Sequence, residues 1–464
     1  MSRSSIKSMT SGSPWKLILG FAAPMLLGMI LQQIYSMVDS MIVGQYLGVD
    51  AFAGVGSTGS INFMIIGFCM GVCNGIAIPV AQRFGAQDRH GLRCYVANGV
   101  WLAVALAVVF TVVVCVFCRQ ILIWMQTPDN ILDYAYDYIF IIFLGIPATI
   151  LYDLLSALIR ALGDSRTPVV FLALAALLNV VLDLLFILAF GMGVEGAAIA
   201  TVISQLCSGL ACLVYIAKKF PLLVPRKPDW RFRPRYFKNL CGMGIPMGLQ
   251  YSITAIGSVI LQTAVNGLGS AAVAAVSAGN RVSNFACCPF DALGTTMATY
   301  VGQNLGAGEI RRVKTGLFSG CAIGFAYSIV AAVVLGIFGS YTAMLFLDPG
   351  ETAIAAQAGE FLRWASAFYV LLTLVNCVRF TIQGLGYGKL ALFSGLCEMV
   401  ARTVAALILI PLFGFTGACM AHPAAWILAD CFLVPAFFVI YGRLKKRYGE
   451  RTGAPMANRA EGKK

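Results

Sequence analysis

Asp39, Asn179, Asp183 and Thr201 place carboxylate, amide and hydroxyl oxygens inside runs that are otherwise apolar. Asn179 and Asp183 are spaced i and i+4, so they share one face of a helix. A carboxylate near the middle of a bilayer costs roughly 2.5–3.5 kcal/mol on insertion scales, and two of them demand a partner, a proton or a metal cation. Oxygen ligands of these three kinds suit hard cations. Na+ held by Asn179, Asp183 and Thr201 is one form of the site, and H+ on the carboxylates is the other. The same groups also serve a plainer purpose if they hydrogen-bond across helices and fasten a bundle. No internal Lys or Arg is evident beside them, which makes an exchangeable cation the simplest partner.

The second half of the chain carries a different set. Glu398 and Arg402 are again i and i+4, with Arg379 in the preceding apolar run. They read either as an internal salt bridge or as groups that act in substrate entry or gating. Arg281 and Asp291 share one run and are separated by Pro289, which breaks the helical hydrogen-bond ladder. Tyr35, with Met29, Met37, Phe63 and Met64, could line an adaptable apolar cleft or could simply pack. Pro24, Pro147 and Pro246 free backbone carbonyls within spans and offer bending points. His90 lies in a basic loop and reads as solvated; His422 reads as packed. The fifteen cysteines are mostly in apolar segments, and Cys115-x-x-Cys118 has no second pair, so neither a disulfide nor a metal is expected of them. There is no HExxH, GxSxG or aspartate-rich motif for an enzyme, no charged ring for a channel, and no expectation of a bound cofactor.

The elements that hold these residues follow from composition. The 464 residues are 59% hydrophobic and 11% charged, with mean hydropathy +0.83. Soluble domains carry about 25% charged residues. Apolar runs recur at the roughly 20-residue length of a bilayer-spanning helix. Breaks at Gly, Pro and charge clusters give spans near 16–43, 52–80, 94–117, 131–157, 168–190 and 195–217. A second set lies near 239–264, 272–301, 315–338, 353–382, 390–412 and 416–441. The first apolar run is too long for a signal-peptide core, so no cleaved leader is expected.

Basic residues alternate across these spans. Arg3, Lys7, Lys16, Arg83, Arg89, Arg93, Arg160, Arg166, the run from Lys218 to Lys238, Arg311, Arg312, Lys314, Lys389 and the tail fall on one side. Asp50, Asp129, Glu195, Asp348 and Glu351 fall on the other, with Arg119 the exception. The positive-inside rule then makes both termini cytoplasmic, in a multi-pass protein of the plasma (inner) membrane. The formal charge of +13 thus reflects orientation and contact with anionic lipid rather than nucleic acid.

The two sets of spans are copies. Pro24-Met25 recurs as Pro246-Met247, Leu47-Gly48 as Leu268-Gly269, and Gln82-Arg83-Phe84-Gly85-Ala86 as Gln303-Asn304-Leu305-Gly306-Ala307. Leu162-Gly163 matches Leu385-Gly386, and Gly193 to Ala197 matches Gly414 to Ala418, all at an offset of 221 to 223 residues. Six spans per copy is an even number, so both halves keep one orientation, as in parallel repeats about an axis along the membrane normal. The expected architecture is all-α and integral to the membrane, with twelve transmembrane helices in two pseudo-twofold six-helix lobes. Residues 1–15 form an N-terminal segment, 16–217 the first lobe, 218–238 a cytoplasmic linker, 239–441 the second lobe and 442–464 a basic tail.

From about Trp15 to Tyr441 the chain resembles the multidrug and toxic compound extrusion (MATE) family. The resemblance rests on Pro24 with Val38-Asp39 and Val43-Gly44, on Ala161 to Pro168, on Asn179 to Asp183, on Gly193 to Thr201, and on Gly302 to Gly308. It implies that Asp39, Asn179, Asp183 and Thr201 match positions used for cation coupling and substrate release. Gln250 stands where some relatives carry an acid used in cation binding. The repeat-equivalents of the first-lobe set are Ile260 or Leu261, Arg402, Ala406 and His422, so the ion site is expected in one lobe only. The expected activity is Na+- or H+-coupled antiport that exports amphipathic, often cationic organic compounds by alternating access, by a monomer. The alternative is a flippase of a lipid-linked or polar lipid, as in related members of the wider superfamily.

Overall fold

The computed structural model describes residues 8–347 and 350–452. Arg3, Lys7, Asp348 and residues 453–464 of the tail lie outside them. Among the described residues the protein is entirely helical. The first half contains α1 (Pro14–Leu47), α2 (Val49–Ser57), α3 (Gly59–Gly85), α4 (Arg89–Trp124), α5 (Asp129–Leu144), α6 (Ile146–Ala161), α7 (Arg166–Leu184) and α8 (Val194–Lys219). The second contains α9 (Pro234–Asn266), α10 (Ser270–Gly306), α11 (Ile310–Met344), α12 (Thr352–Ala367), α13 (Tyr369–Gly384), α14 (Gly388–Val404), α15 (Ile410–Phe413) and α16 (Phe415–Thr452).

Among the described residues, nine helical stretches are long and apolar enough to cross a membrane singly. Two more spans are bent pairs, α5–α6 at 48° and α12–α13 at 51°. The twelfth, α10, has the length at 37 residues, but Arg281, Asn284 and Asp291 make it too polar to stand out by hydropathy. The mid-helix exposed face of α7 is apolar: Leu174, Leu177 and Val181 are exposed while Asn179 and Asp183 turn inward. That is the reverse of a soluble amphipathic helix, as a bilayer solvent requires.

The backbone repeats along with the sequence. Gly48 and Gly269 turn the chain with φ of +90° and +97°, and Gly163 and Gly386 with +93° and +94°, a region that favours glycine. Single π turns follow α7 at Leu185–Ala189 and α14 at Ala405–Leu409. Packing, however, crosses the division of the chain into residues 16–217 and 239–441. Ile18, Phe21, Ala22 and Met25 of α1 belong to the core of the second half, whereas Ile42 and Val43 of the same helix belong to the first. On α9, Leu240 joins the first-half core and Leu261 and Val265 pack in the second. Each lobe therefore lends the other half of one helix, and Pro24 and Pro246 stand in those lent segments.

The halves meet along a seam of small residues. A Cβ on Gly71 of α3 would come within 2.7 Å of the Gly248 backbone on α9. At the basic face, the tips of α3 and α10 touch, and two glutamines make matched bonds. Gln82 Nε2 donates to the Gly384 carbonyl at 2.9 Å, and Gln303 Nε2 to the Ala161 carbonyl at 2.9 Å. Met9 N–H donates to Gln303 Oε1 at 2.8 Å, strapping the N-terminal segment over the same junction. Among the described residues, hydrogen bonds between the halves gather toward this face, with Ser252 Oγ donating to the Met64 carbonyl at 3.0 Å nearer mid-helix.

Candidate cation site and its polar surroundings

The far half of α1 packs against α7 and α8 and brings the four first-lobe residues together. Asp183 and Asn179 are fully buried on one face of α7, and Asp39 is 8% exposed. With its amide oriented so that donors meet acceptors, Asn179 Nδ2 donates to Asp183 Oδ2 at 2.9 Å, and its Oδ1 accepts the Thr201 N–H at 3.2 Å. The Thr201 hydroxyl lies 3.3 Å from the Asn179 amide and 3.3 Å from the Tyr35 hydroxyl. The Asp39 and Asp183 carboxyl groups lie next to one another, close enough to interact directly. One oxygen of each, Oδ1, is buried without a hydrogen-bond partner. Tyr138 of α5, which sequence reasoning missed, is buried beside both acids and Tyr35.

An arginine does enter this lobe, contrary to the sequence expectation. Arg160, assigned to a loop, sits in the last turn of α6; it donates to Asn74 Oδ1 at 3.2 Å and to Ser156 Oγ. Asp153, one further residue that was missed, lies within its electrostatic reach. Arg160 is thus engaged by Asn74 and Ser156. Together with Met247, Thr295 and Phe380 it lines a small cavity between the halves.

The second-lobe charges form a paired cluster. Arg379 and Glu398 are 3.0 Å apart, and Arg402 approaches the other carboxylate oxygen at 3.6 Å. Arg402 also donates to the Thr254 carbonyl at 3.1 Å and to Ser258 Oγ at 3.3 Å on α9. The expected Glu398–Arg402 pair is thus a triad in which Arg379 is the closer partner. Asp430 of α16, also missed, is buried nearby with both oxygens unpartnered. Gln250 bonds to Gln383 at 2.9 Å. Arg281 and Asp291 do not meet: Asp291 accepts from Asn376 at 3.4 Å, and Arg281 is exposed farther along α10. Gln32 and Ser36 of α1 and Arg281, Asn284 and Asp291 of α10 are all exposed in mid-helix. His422 packs between Phe361 and Trp426. His90 is helical rather than in a loop, 3.3 Å from Asp229.

The sequence profile described as MatE matches residues 24–185 and 246–408, once in each half. The chain is 32% identical to the probable multidrug resistance protein YpnP of Bacillus subtilis (strain 168) over 81% of its own length and 83% of that protein. It is 25% identical to a Shewanella oneidensis protein named as an FAD transporter, over 77% of each. Among solved structures, a MATE protein in complex with MaL6 superposes with TM-score 0.89 at 21% identity, covering 96% of this chain and all of that one. A chain described as the outward-facing conformation of a multidrug resistance MATE transporter gives 0.88 at 21%, over 96% and 100%. The fold and the repeated match make this a polytopic membrane transporter. The chain belongs to the MATE family of multidrug efflux transporters.

Proposed function

We propose that this transporter is a cation-coupled antiporter that exports amphipathic organic compounds by alternating access, with its basic face toward the cytoplasm. The observation that carries the reading is the Asp39–Asp183 contact, in which two buried acids have an unpartnered oxygen each and, among the described residues, no ion-paired base. Two adjacent buried carboxyls resist ionising together and so favour one proton between them, and removing it leaves a ring of oxygens suited to Na+. Either cation is a substrate of the exchange, not a resident cofactor.

The lobes are joined by the glycine seam and the glutamine pair at the basic face. Exposed polar side chains in mid-helix on α1 and α10 are tolerable in a membrane only where they line water, which supports a cleft opening on the opposite side. In this cycle a cation enters from that side, reaches Asp39 and Asp183, and tightens α1 against α7 and α8. Tyr35, which joins Thr201 to the cleft wall, shifts with α1 and releases the bound compound. One inward-moving charge gains about 2.3 kcal/mol per 100 mV, enough to bias expulsion about 50-fold. Glu398 engages both Arg379 and Arg402, which draws those two bases away from the pyrophosphate headgroup that a flippase would carry.

The test is dye efflux from proteoliposomes under separately imposed H+ and Na+ gradients. Wild type responds to at least one, and Asp39→Asn and Asp183→Asn, both correctly inserted, lose that response. Normal rates in both variants would refute the assignment, and a wild type indifferent to either gradient would favour the flippase.

A further inference from the structure

We propose that His90, Cys94 and Asp229 form a transition-metal site, of the Zn2+ class, that staples the inter-lobe linker to the start of α4. His90 and Cys94 are i and i+4 in the opening turns of α4 and share a face. Asp229 arrives from the linker on a single 3-10 turn, Lys227–Trp230. Among the described residues, this trio is the group of metal-ligating side chains whose donor atoms converge.

The spacing suits a tetrahedral ion. His90 Nδ1 is 3.3 Å from Asp229 Oδ1, Cys94 Sγ is 3.9 Å from the same oxygen, and Sγ lies 3.7 Å from His90 Nε2 and 4.0 Å from Nδ1. Zinc bound at about 2.3 Å to sulfur and about 2.0–2.2 Å to nitrogen and oxygen separates its donors by roughly 3.3–3.6 Å. A contraction of a few tenths of an ångström closes the site. Cys94 and Asp229 are buried, whereas His90 is exposed, so the ion has two fixed ligands, a movable imidazole that admits it, and a fourth position for water.

The outer contacts hold the ligands in place. Asp229 Oδ2 accepts the Arg226 N–H at 2.9 Å, which aims Oδ1 at the other two ligands. Asn98, one turn beyond Cys94, donates to the Cys94 carbonyl at 2.8 Å and accepts the Arg233 N–H at 3.0 Å. Trp101 Nε1 donates to the Trp230 carbonyl at 3.2 Å. Such partners orient ligands and are worth roughly 10–100-fold in metal affinity. The neighbouring charges are Asp88, engaged by Arg83 at 3.0 Å, and Arg233, whose guanidinium is 3.4 Å from His90 Nε2. Arg233 is the group that opposes binding. It already lies over the Tyr236 ring, 5.8 Å from its centroid, and settles there when the imidazole turns to the ion. Binding releases one proton, from the Cys94 thiol, and leaves a thiolate–metal bond. The linker then joins α4 through an ion as well as through hydrogen bonds, which fixes where the second lobe is tethered.

Co2+ titration of metal-stripped, detergent-purified protein tests this. The expected result is a near-ultraviolet thiolate-to-cobalt band with tetrahedral visible bands, displaced by Zn2+, absent in Cys94→Ser and weakened about tenfold or more in His90→Gln and Asp229→Asn. Arg233→Gln strengthens binding. His90 is exposed, so His90→Gln folds and keeps the test decisive even if a buried substitution does not. Absence of the band in wild type, or its persistence at equal affinity in both Cys94→Ser and His90→Gln, overturns the proposal and leaves a hydrogen-bonded trio.

Discussion

A buried acid behaves differently according to whether a base faces it. Glu398 is held by Arg379 and Arg402, all three buried, so Glu398→Gln strands two guanidinium groups. Breaking such a pair costs about 3–5 kcal/mol. The melting temperature in detergent should fall sharply, while Arg281→Gln, at an exposed position, leaves it unchanged. Asp183 has no such base, and its neutral amide lifts a desolvation cost. Asp183→Asn should therefore melt no lower than wild type, whereas a role as a mere fastener predicts a loss. Asp39 and Asp183 were legible in the sequence because a carboxylate in an apolar run is expensive. Asp153 and Asp430 gave the same signal and were passed over. Tyr138 gave none, since a tyrosine in a span is ordinary and only packing sets it beside the acids.

Helices were legible where hydropathy and repeat agreed, and one bend with them: the 48° break within α5–α6 falls beside Pro147, an expected bending point. The 51° break within α12–α13, where the chain has no proline, and the π turns after α7 and α14 were not. Arg160 was misplaced too: α6 continues past the apolar run, so a residue that ends a hydropathy segment still points into the lobe. The close approach of α3 and α9 depends on glycine at 71, where a side chain would collide with the Gly248 backbone. Gly71→Leu should cut transport about tenfold or more by holding the halves apart, as overpacking a backbone contact has no cheap relief. Gly56→Leu, where an added Cβ meets nothing within 4 Å, should transport normally in the same vesicle assay.

In the whole molecule, the junction at the basic face is built twice from one sequence element. Gln82 and Gln303 are repeat partners, and each bonds to the last turn of a helix in the opposite half. Replacing both with alanine removes the two matched bonds together. Spin labels at positions 86 and 307 should then show a longer and broader distance distribution, with the populations shifted toward a state open at the basic face. An unchanged distribution would mean that the glycine seam alone sets the closed junction.

The sequence by itself determined the solvent, the number of spans and the twofold repeat. Each of these follows from local composition or from self-comparison at a fixed offset. Only the tertiary structure decided which groups meet. It crossed α1 and α9 between the halves, gave Glu398 a second arginine, turned Arg160 toward Asn74, and set Asp229 beside His90 and Cys94. Those outcomes depend on contacts between residues far apart in the chain, for which hydropathy and spacing carry no term.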